Sequence, residues 1–476
     1  MTFQGSLRET KHSLVVQRSI PARNFAASSP ILVFKTHYRP LLLLAYPVVL
    51  SQLGHTMVNF TDSVFVGRLG TLPLAAIGLG ISTTTVLLVL GLGFSMGCVP
   101  LVAAADGRQD FPELGRLLGT SVWSSAVVGL LLAGLGQLVP PLLHYLGQPA
   151  AVVALAEPWV RLISLSLLPL MIFQGFREFA EGLGLTRQAM VLSVAANGLN
   201  ALLCYALVFG AWGAPRLGVA GAGWATLIAR VVMAALMAAY VLGTARLAPH
   251  RAAVPSWWRP DGPTLRRLLH LGTPIGVQMM FEMGAFSFAA LMIGWLGATA
   301  LAAHQVAINV ASITYMAASG IAAAATVQVG RRRGAGDGAG ARQAGFASYW
   351  LAFGFMSGTA LLLIFTRHWL PHFYIHEPAV VAQAAVLLLI AALFQVSDGL
   401  QVVGLGALRG LEDVKIPSLV ALLAYWVVAL PLGYVLGFVF HLGAPGVWLG
   451  LLLGLSIVAG VLLLRFRQET AELSPR

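Results

Sequence analysis

Three acidic residues lie inside long apolar stretches of this 476-residue sequence: Asp62, Glu282 and Asp398. An ionised acid near the centre of a bilayer costs roughly 2.5–3.5 kcal/mol even on lenient insertion scales, so such a residue usually faces a bundle interior or a wet cavity. Because desolvation disfavours the charged form of a carboxylate, each group can take up a proton or a sodium ion and exchange it for another bound cation. The sequence therefore predicts reversible cation binding at membrane depth.

Other polar side chains accompany the acids at helical spacing. On the first stretch, four residues follow one another at intervals of three, four and three, which places them on one helix face: Gln52, His55, Asn59 and Asp62. Three later stretches carry similar stripes: Gln278 with Glu282; Gln305 with Asn309, Ser312 and Tyr315; and Gln395 with Asp398 and Gln401. Since unsatisfied polar groups cost several kcal/mol in hydrocarbon, we expect these faces to point inward. The amides alone are also compatible with simple hydrogen bonding between helices.

No lysine or arginine stands beside the acids within their segments, and Arg230 is the one deeply placed cation. We therefore expect the three carboxylates to be unpaired. His304 is more typical of a hydrogen-bonded structural histidine than of a proton carrier. Cys98 and Cys204 have the spacing of neither a disulfide framework nor a metal motif.

The elements that position these residues are apolar helices. The chain is 58% hydrophobic and only 10% charged, with a mean hydropathy of +0.83, whereas soluble domains are about 25% charged. The net charge of +12 reflects basic loops rather than nucleic-acid binding. We predict an all-α polytopic membrane protein with twelve transmembrane segments. They cover 41–66, 72–104, 117–139, 156–179, 189–210, 219–242, 268–294, 300–328, 344–366, 380–408, 416–439 and 446–466.

The charges of the connecting segments predict the orientation. With both termini in the cytoplasm, twenty-four lysines and arginines fall on the inner side and three on the outer side. Basic residues are enriched in cytoplasmic loops, so this distribution predicts cytoplasmic termini in the cytoplasmic membrane. Residues 1–40 hold six of these charges and are interpreted as a disordered basic tail attracted to anionic lipid. An organellar transit peptide or an over-long start are the alternatives for this segment.

The sequence also contains an internal repeat. Moving the second half back by 227 residues aligns Pro274 with Pro47 and Gly334 with Gly107. We therefore expect two six-helix lobes, with a cleft suited to alternating access and sites near the midplane. The predicted divisions are a tail (1–40), an N-lobe (41–242), a cytoplasmic linker (243–267), a C-lobe (268–466) and a C-terminal tail (467–476).

Enzymatic chemistry has little support in the sequence. It has no phosphate-binding loop, no His-Glu-x-x-His pair and no nucleophile–base pair or metal triad. We expect no enzyme activity and no cofactor beyond a coupling ion, Na⁺ or H⁺, and no nucleic-acid partner. A channel stays open as an alternative, because a six-plus-six repeat does not exclude one.

Several motifs in this chain resemble the multidrug and toxic compound extrusion (MATE) transporters, most closely their NorM-type branch. The matching stretches are Pro47 with Asp62–Gly67, Pro274–Gln278 with Glu282 and Phe286, Leu301–Asn309, Ser312–Met316, Val329–Gly330 with Gly334, and Asp398–Val403 with Gly406–Gly410 and Asp413. The resemblance covers about residues 38–466. It implies twelve helices in two lobes that form a V and move as a rocker switch.

The resemblance also implies roles for individual residues. Glu282 and Asp398 match the C-lobe cation-binding acids, and Tyr315 falls where an aromatic face can lie near that cation. Asp62 matches an N-lobe acid for proton or substrate coupling, with Asn200 as its expected neighbour. His55 and Asn59 share the Asp62 face. Candidates for the substrate cavity are Gln278, Phe281, Phe286, Gln305, Asn309 and Gln395.

These observations favour a monomeric multidrug antiporter in the lipid bilayer. It would export amphipathic organic cations in exchange for Na⁺ or H⁺. The alternative within transport is a lipid or lipid-linked oligosaccharide flippase. A flippase is expected to line its cavity with arginines that bind phosphate, whereas this chain places acids at membrane depth.

Overall fold

The structure is a computed structural model that describes residues 38–145, 147–249 and 259–473. Residues 1–37 of the predicted basic tail, residues 250–258 of the predicted linker and residues 474–476 lie outside the described residues. The side chains of His55 and Asn59 also lie outside them, so the predictions for these two residues stay predictions.

The described residues form helices and contain no strand. We label as α1–α12 the helical units that correspond one to one with the twelve predicted segments. They are α1 Arg39–Gly67, α2 Thr71–Arg108, α3 Phe111–Leu143, α4 Ala150–Gly182, α5 Thr186–Phe209, α6 Val219–Gly243, α7 Gly262–Gly294, α8 Ala298–Gly334, α9 Gly338–Thr366, α10 Pro378–Gly410, α11 Lys415–Val439 and α12 Ala444–Glu472. Helices α2 to α12 are each long and apolar enough to cross a membrane, and α1 spans 29 residues. The predicted all-helical membrane fold is confirmed.

Helix starts explain part of the repeat. Asp110 caps α3, since its side chain accepts a 2.9 Å hydrogen bond from the backbone N–H of Glu113. Asp337 caps α9 in the same way through the N–H of Gly340, at 2.8 Å. An aspartate at this position satisfies a backbone donor that has no partner within the helix. The repeated aspartates therefore begin equivalent helices in the two halves.

Glycines bring the two halves into close contact near the end of the bundle where α1 begins and α12 ends. A Cβ atom added to Gly107 would collide with the backbone carbonyl of Arg331, and one added to Gly334 would collide with that of Ala104. Positions 104 and 331 differ by 227 residues, as do positions 107 and 334. The contact between the halves is thus pseudo-symmetric, and these two glycines are required by backbone packing.

A second symmetric contact lies closer to the bundle centre. Gly93 of α2 packs against the backbone of Gly276 on α7, and Gly320 of α8 packs against Val49 on α1. These positions again correspond at the repeat offset. The N-terminal half of α1 and the C-terminal halves of α2 and α8 therefore join the halves at the same end of the bundle.

Ion pairs reinforce this end. Arg331 of α8 pairs with Asp106 of α2, and Arg267 of α7 pairs with Glu113 of α3 through a 2.7 Å contact. All four side chains are at least partly exposed, so each pair contributes only about 0–1 kcal/mol. The pairs add specificity to a contact that backbone packing already defines.

Candidate functional site

Glu282 lies at the centre of a hydrogen-bonded network in the second half. The hydroxyl of Tyr425 on α11 donates to its Oε1 atom at 2.9 Å. The side-chain amides of Gln401 and Gln278 donate to its two carboxylate oxygens, each at 3.4 Å. The carboxylate is therefore held by three neutral donors from α7, α10 and α11, which stabilise a negative charge at this depth.

Asp398 lies close enough to Glu282 for the two charges to interact. Its side chain is 5% exposed, so water screens it poorly. Tyr315 of α8 is half-buried and lies within the electrostatic reach of both acids. Because like charges repel strongly in a dry environment, this pair is stabilised by one shared proton or cation.

An arginine also belongs to this site, which corrects the expectation that no cation stands beside the acids. Arg409 of α10 donates from Nη2 to the side-chain oxygen of Gln278 at 3.4 Å. Its charge also interacts with Glu282 and with Glu178 of α4. Helical side chains lean toward the helix N-terminus, so an arginine at the end of α10 reaches back toward the acids. Assignment to a loop concealed this direction.

The structure brings some of the other candidates to the site and leaves others apart. Phe286 packs on the ring of Tyr425 with centroids 5.7 Å apart, and Phe281 packs on Trp426 at 5.9 Å. The buried Gln395 donates instead to the backbone carbonyl of Met356 at 3.5 Å.

Two further candidates stand outside the network. The side chains of Gln305 and Asn309 on α8 are exposed. Among the described residues, no hydrogen bond joins either amide to Glu282 or Asp398. The predicted α8 stripe therefore contributes Tyr315 to the acidic pair and leaves these two amides at a surface.

Tyr425 was missed by sequence reasoning. It lies in a π-helical turn, Ala424–Ala429, directly before Pro431. A proline removes a backbone donor and collides with the carbonyl four residues earlier, which widens the preceding turn. Such a turn disturbs the 3.6-residue period on which stripe detection depends. A tyrosine shortly before a proline within an apolar segment is the signal that could have indicated it.

The first half contains a separate polar site around Asp62, which is fully buried. The thiol of Cys204 donates to Oδ1 at 3.2 Å, and the hydroxyl of Thr226 donates to Oδ2 at 3.1 Å. The amide of Asn200 donates to the Thr226 oxygen at 3.0 Å. The structure thus brings Asn200 next to Asp62, as expected, and adds Thr226 and Cys204.

The repeat offers a simple account of both sites. With the offset of 225 that relates Gly443 to Gly218, Tyr425 aligns with Asn200. Each lobe therefore uses its fifth helix to bring a polar partner to the acidic site that its first helix supplies. The partners differ in chemistry, so the two sites are not copies of each other.

The fold and the two buried acidic sites define a multi-pass membrane transporter built from two related six-helix lobes. The MatE family model matches residues 47–206 and again residues 274–435, and the two matches begin 227 residues apart. The chain belongs to this family, the multidrug and toxic compound extrusion transporters.

Curated relatives cover nearly the whole chain. The chain is 36% identical over 437 residues to "Probable multidrug resistance protein NorM" of Rhizobium meliloti strain 1021, which covers 90% of this chain and 93% of the relative. It is 38% identical to the protein of the same name from Rhodopseudomonas palustris, covering 96% and 98%. These matches confirm the resemblance to the NorM-type branch.

Solved structures share the two-lobe fold. One, described as the outward-facing conformation of a multidrug resistance MATE family transporter of the MOP superfamily, superposes with a TM-score of 0.84 at 19% identity, over 94% of this chain and 99% of that chain. The bent form of the Vibrio cholerae MATE transporter VcmN gives 0.80 at 21% identity, over 93% and 99%.

Proposed function

We propose that this protein is an antiporter that exports organic cations in exchange for Na⁺ or H⁺. The observation that carries the proposal is the pairing of Glu282 with Asp398 inside the second lobe, with Tyr315 beside both. Two acids in a poorly hydrated site repel one another unless a cation or proton lies between them. A coupling ion that enters this site therefore stabilises it, and an organic cation competes for the same negative charge.

The packing of the lobes suggests the direction of access. Close backbone contacts at Gly107 and Gly334 close the end of the bundle that carries the chain termini. We assign this end to the cytoplasm, following the excess of basic residues there. The conformation is then closed toward the cytoplasm, and alternating access requires these contacts to open.

Aromatic groups next to the acids fit amphipathic substrates. Phe281 packs on Trp426, and Phe288 approaches the same indole with centroids 6.3 Å apart. Aromatic faces attract organic cations, by about 0.5–2 kcal/mol for each contact, and accept varied shapes. Together with the multidrug names of the relatives, this supports a broad range of aromatic cationic substrates.

The Asp62 site supplies a second place for coupling. Its carboxylate accepts hydrogen bonds from Thr226 and Cys204, and Asn200 completes the network. We assign Asp62 and Asn200 to proton or substrate coupling in the N-lobe. The protein works as a monomer in the cytoplasmic membrane, with lobes 41–242 and 268–466 joined by a cytoplasmic linker at 243–267.

The test is export of ethidium from proteoliposomes at fixed pH, with and without a sodium gradient, followed by a pH gradient in the absence of sodium. We expect export with at least one gradient and none when both are collapsed by ionophores. Export that persists without either gradient contradicts the proposal.

A further inference from the structure

A small polar cavity lies inside the N-lobe next to the Asp62 network. It has a volume of about 50 Å³, with room for about three water molecules. Its polar lining consists of five side chains, each of which can donate hydrogen bonds, and includes no acid: Ser193, Asn197, Asn200, Thr226 and Arg230. A second cavity, of about 10 Å³, is also lined by Arg230. One guanidinium therefore faces both cavities.

Arg230 is incompletely partnered for a charge near the middle of α6. It donates one hydrogen bond from Nη1, to the hydroxyl of the buried Ser166 at 2.6 Å. A guanidinium has five donors. Among the described residues, the ion pairs do not include Arg230. A charge of this kind attracts a negatively charged group into the space that it faces.

Asp62 balances this charge at a distance. Its carboxylate lies beyond ion-pair contact with Arg230 but close enough for the two charges to interact. Thr226, which donates to Asp62, stands one helical turn from Arg230 on α6. When a proton or a cation neutralises Asp62, the cavity keeps a positive charge and a lining of donors.

We propose that this N-lobe cavity binds a monovalent anionic group, with Arg230 as the residue that recognises it. The group is either the carboxylate of a zwitterionic substrate or a free halide, and both suit a small cavity lined by donors. The inference rests on the proposed export function where a substrate supplies the carboxylate. Anion affinity rises when Asp62 is neutral, which couples anion binding to the ion cycle.

The first experiment measures thermal unfolding of the purified full chain in sodium bromide and in sodium isethionate at equal ionic strength. Bromide is expected to raise the midpoint for the wild type and to raise it further for Asp62→Asn. The shift should vanish for Arg230→Gln and persist for Arg161→Gln, which removes an exposed arginine of the same lobe that pairs with Glu157. Equal midpoints in both salts for wild type and Asp62→Asn overturn halide binding, and this comparison leaves Arg230 unchanged in case Arg230→Gln does not fold.

The second experiment measures export of rhodamine B, which carries a carboxylate, against its ethyl ester, which does not. If the substrate supplies the anion, Arg230→Gln lowers the ratio of the acid rate to the ester rate by about tenfold, as expected for a lost charged hydrogen bond. An unchanged ratio together with a bromide shift assigns the site to a free halide. No bromide shift and an unchanged ratio overturn the proposal.

The two experiments also separate this inference from the proposed function. If the wild type exports neither dye with any ion gradient, the export function fails. The bromide arm then still decides whether the cavity binds an anion, because unfolding does not depend on transport.

Discussion

The hydroxyl of Tyr425 donates a 2.9 Å hydrogen bond to Glu282, and the same oxygen accepts one from the amide of Gln401 at 3.0 Å. Tyr425 is almost fully buried and lies in the π-helical turn of α11, so its position is fixed by packing. The bond joins α11 to α7 at the acidic pair. A tyrosine held in this way orients the carboxylate that is proposed to bind the coupling ion.

Removing the Tyr425 hydroxyl should weaken cation binding without disturbing the fold. Tyr425→Phe keeps the ring that packs on Phe286 and deletes one donor to the carboxylate. A hydrogen bond to a charged group contributes about 1.5–3 kcal/mol, so we expect the sodium or proton concentration for half-maximal export to rise about tenfold or more. Tyr349→Phe is the matched control, because that buried hydroxyl has no partner among the described residues. Equal effects of the two substitutions would contradict the role of Tyr425.

Adding a methyl group at Gly334 should force the lobes apart at the closed end. The new Cβ meets the backbone carbonyl of Ala104, which cannot move independently of α2. Overpacking of this kind costs about 1–3 kcal/mol, so Gly334→Ala should shift the population toward the open state by about fivefold or more. Spin labels at Pro112 and Ala335 report the separation. Gly134→Ala, where no atom lies within 4 Å, should leave the distances unchanged.

The ion pair of Asp106 with Arg331 should favour the same closed state more weakly. Both residues are partly exposed, and a surface pair contributes about 0.2–1 kcal/mol. Asp106→Arg or Arg331→Asp should each increase the open population by about two- to fivefold, and the exchanged pair should recover much of the loss. The spin-label distances measure this population. Failure of the double variant to recover would show that the charges do not act as a pair.

The cap at the start of α7 gives a pH dependence outside the membrane. Thr264 donates to the Asp261 carboxylate from its backbone N–H and from its hydroxyl, and these bonds hold the pKa of Asp261 below its ordinary value. A depressed pKa means that the cap stabilises the fold above the unfolded pKa of about 3.9 and loses this effect as the pH falls through the folded pKa. Asp261→Ala should therefore cost about 1 kcal/mol at pH 7 and nothing in strong acid. Unfolding midpoints measured against pH test this, with Asp261→Asn as the control that caps without titrating.

The fold was predictable because a bilayer imposes simple rules. A helix needs about twenty apolar residues to cross it, so the twelve predicted segments each fall on one helix. The repeat offset was also visible in the sequence, although its cause was not. The structure supplies that cause: Asp110 and Asp337 cap equivalent helices, and Gly107 and Gly334 meet the opposite lobe's backbone.

The sites were only partly predictable. Acids at membrane depth are costly, and that cost alone indicated Asp62, Glu282 and Asp398. The partners depend on which helices become neighbours and on where long side chains point. Arg409 was assigned to a loop and Tyr425 lies in a π turn, so neither followed from helical periodicity.

The central claim is that Glu282 and Asp398 form the site for the coupling ion. The most direct test compares gradient-driven ethidium export by the wild type with export by Glu282→Gln and Asp398→Asn in proteoliposomes. Both substitutions keep the shape of the side chain and remove the charge, so the unfolding midpoints should show that both variants are folded. We predict that gradient-driven export falls to the level of empty liposomes in both. Export at the wild-type rate by both folded variants would contradict the assignment.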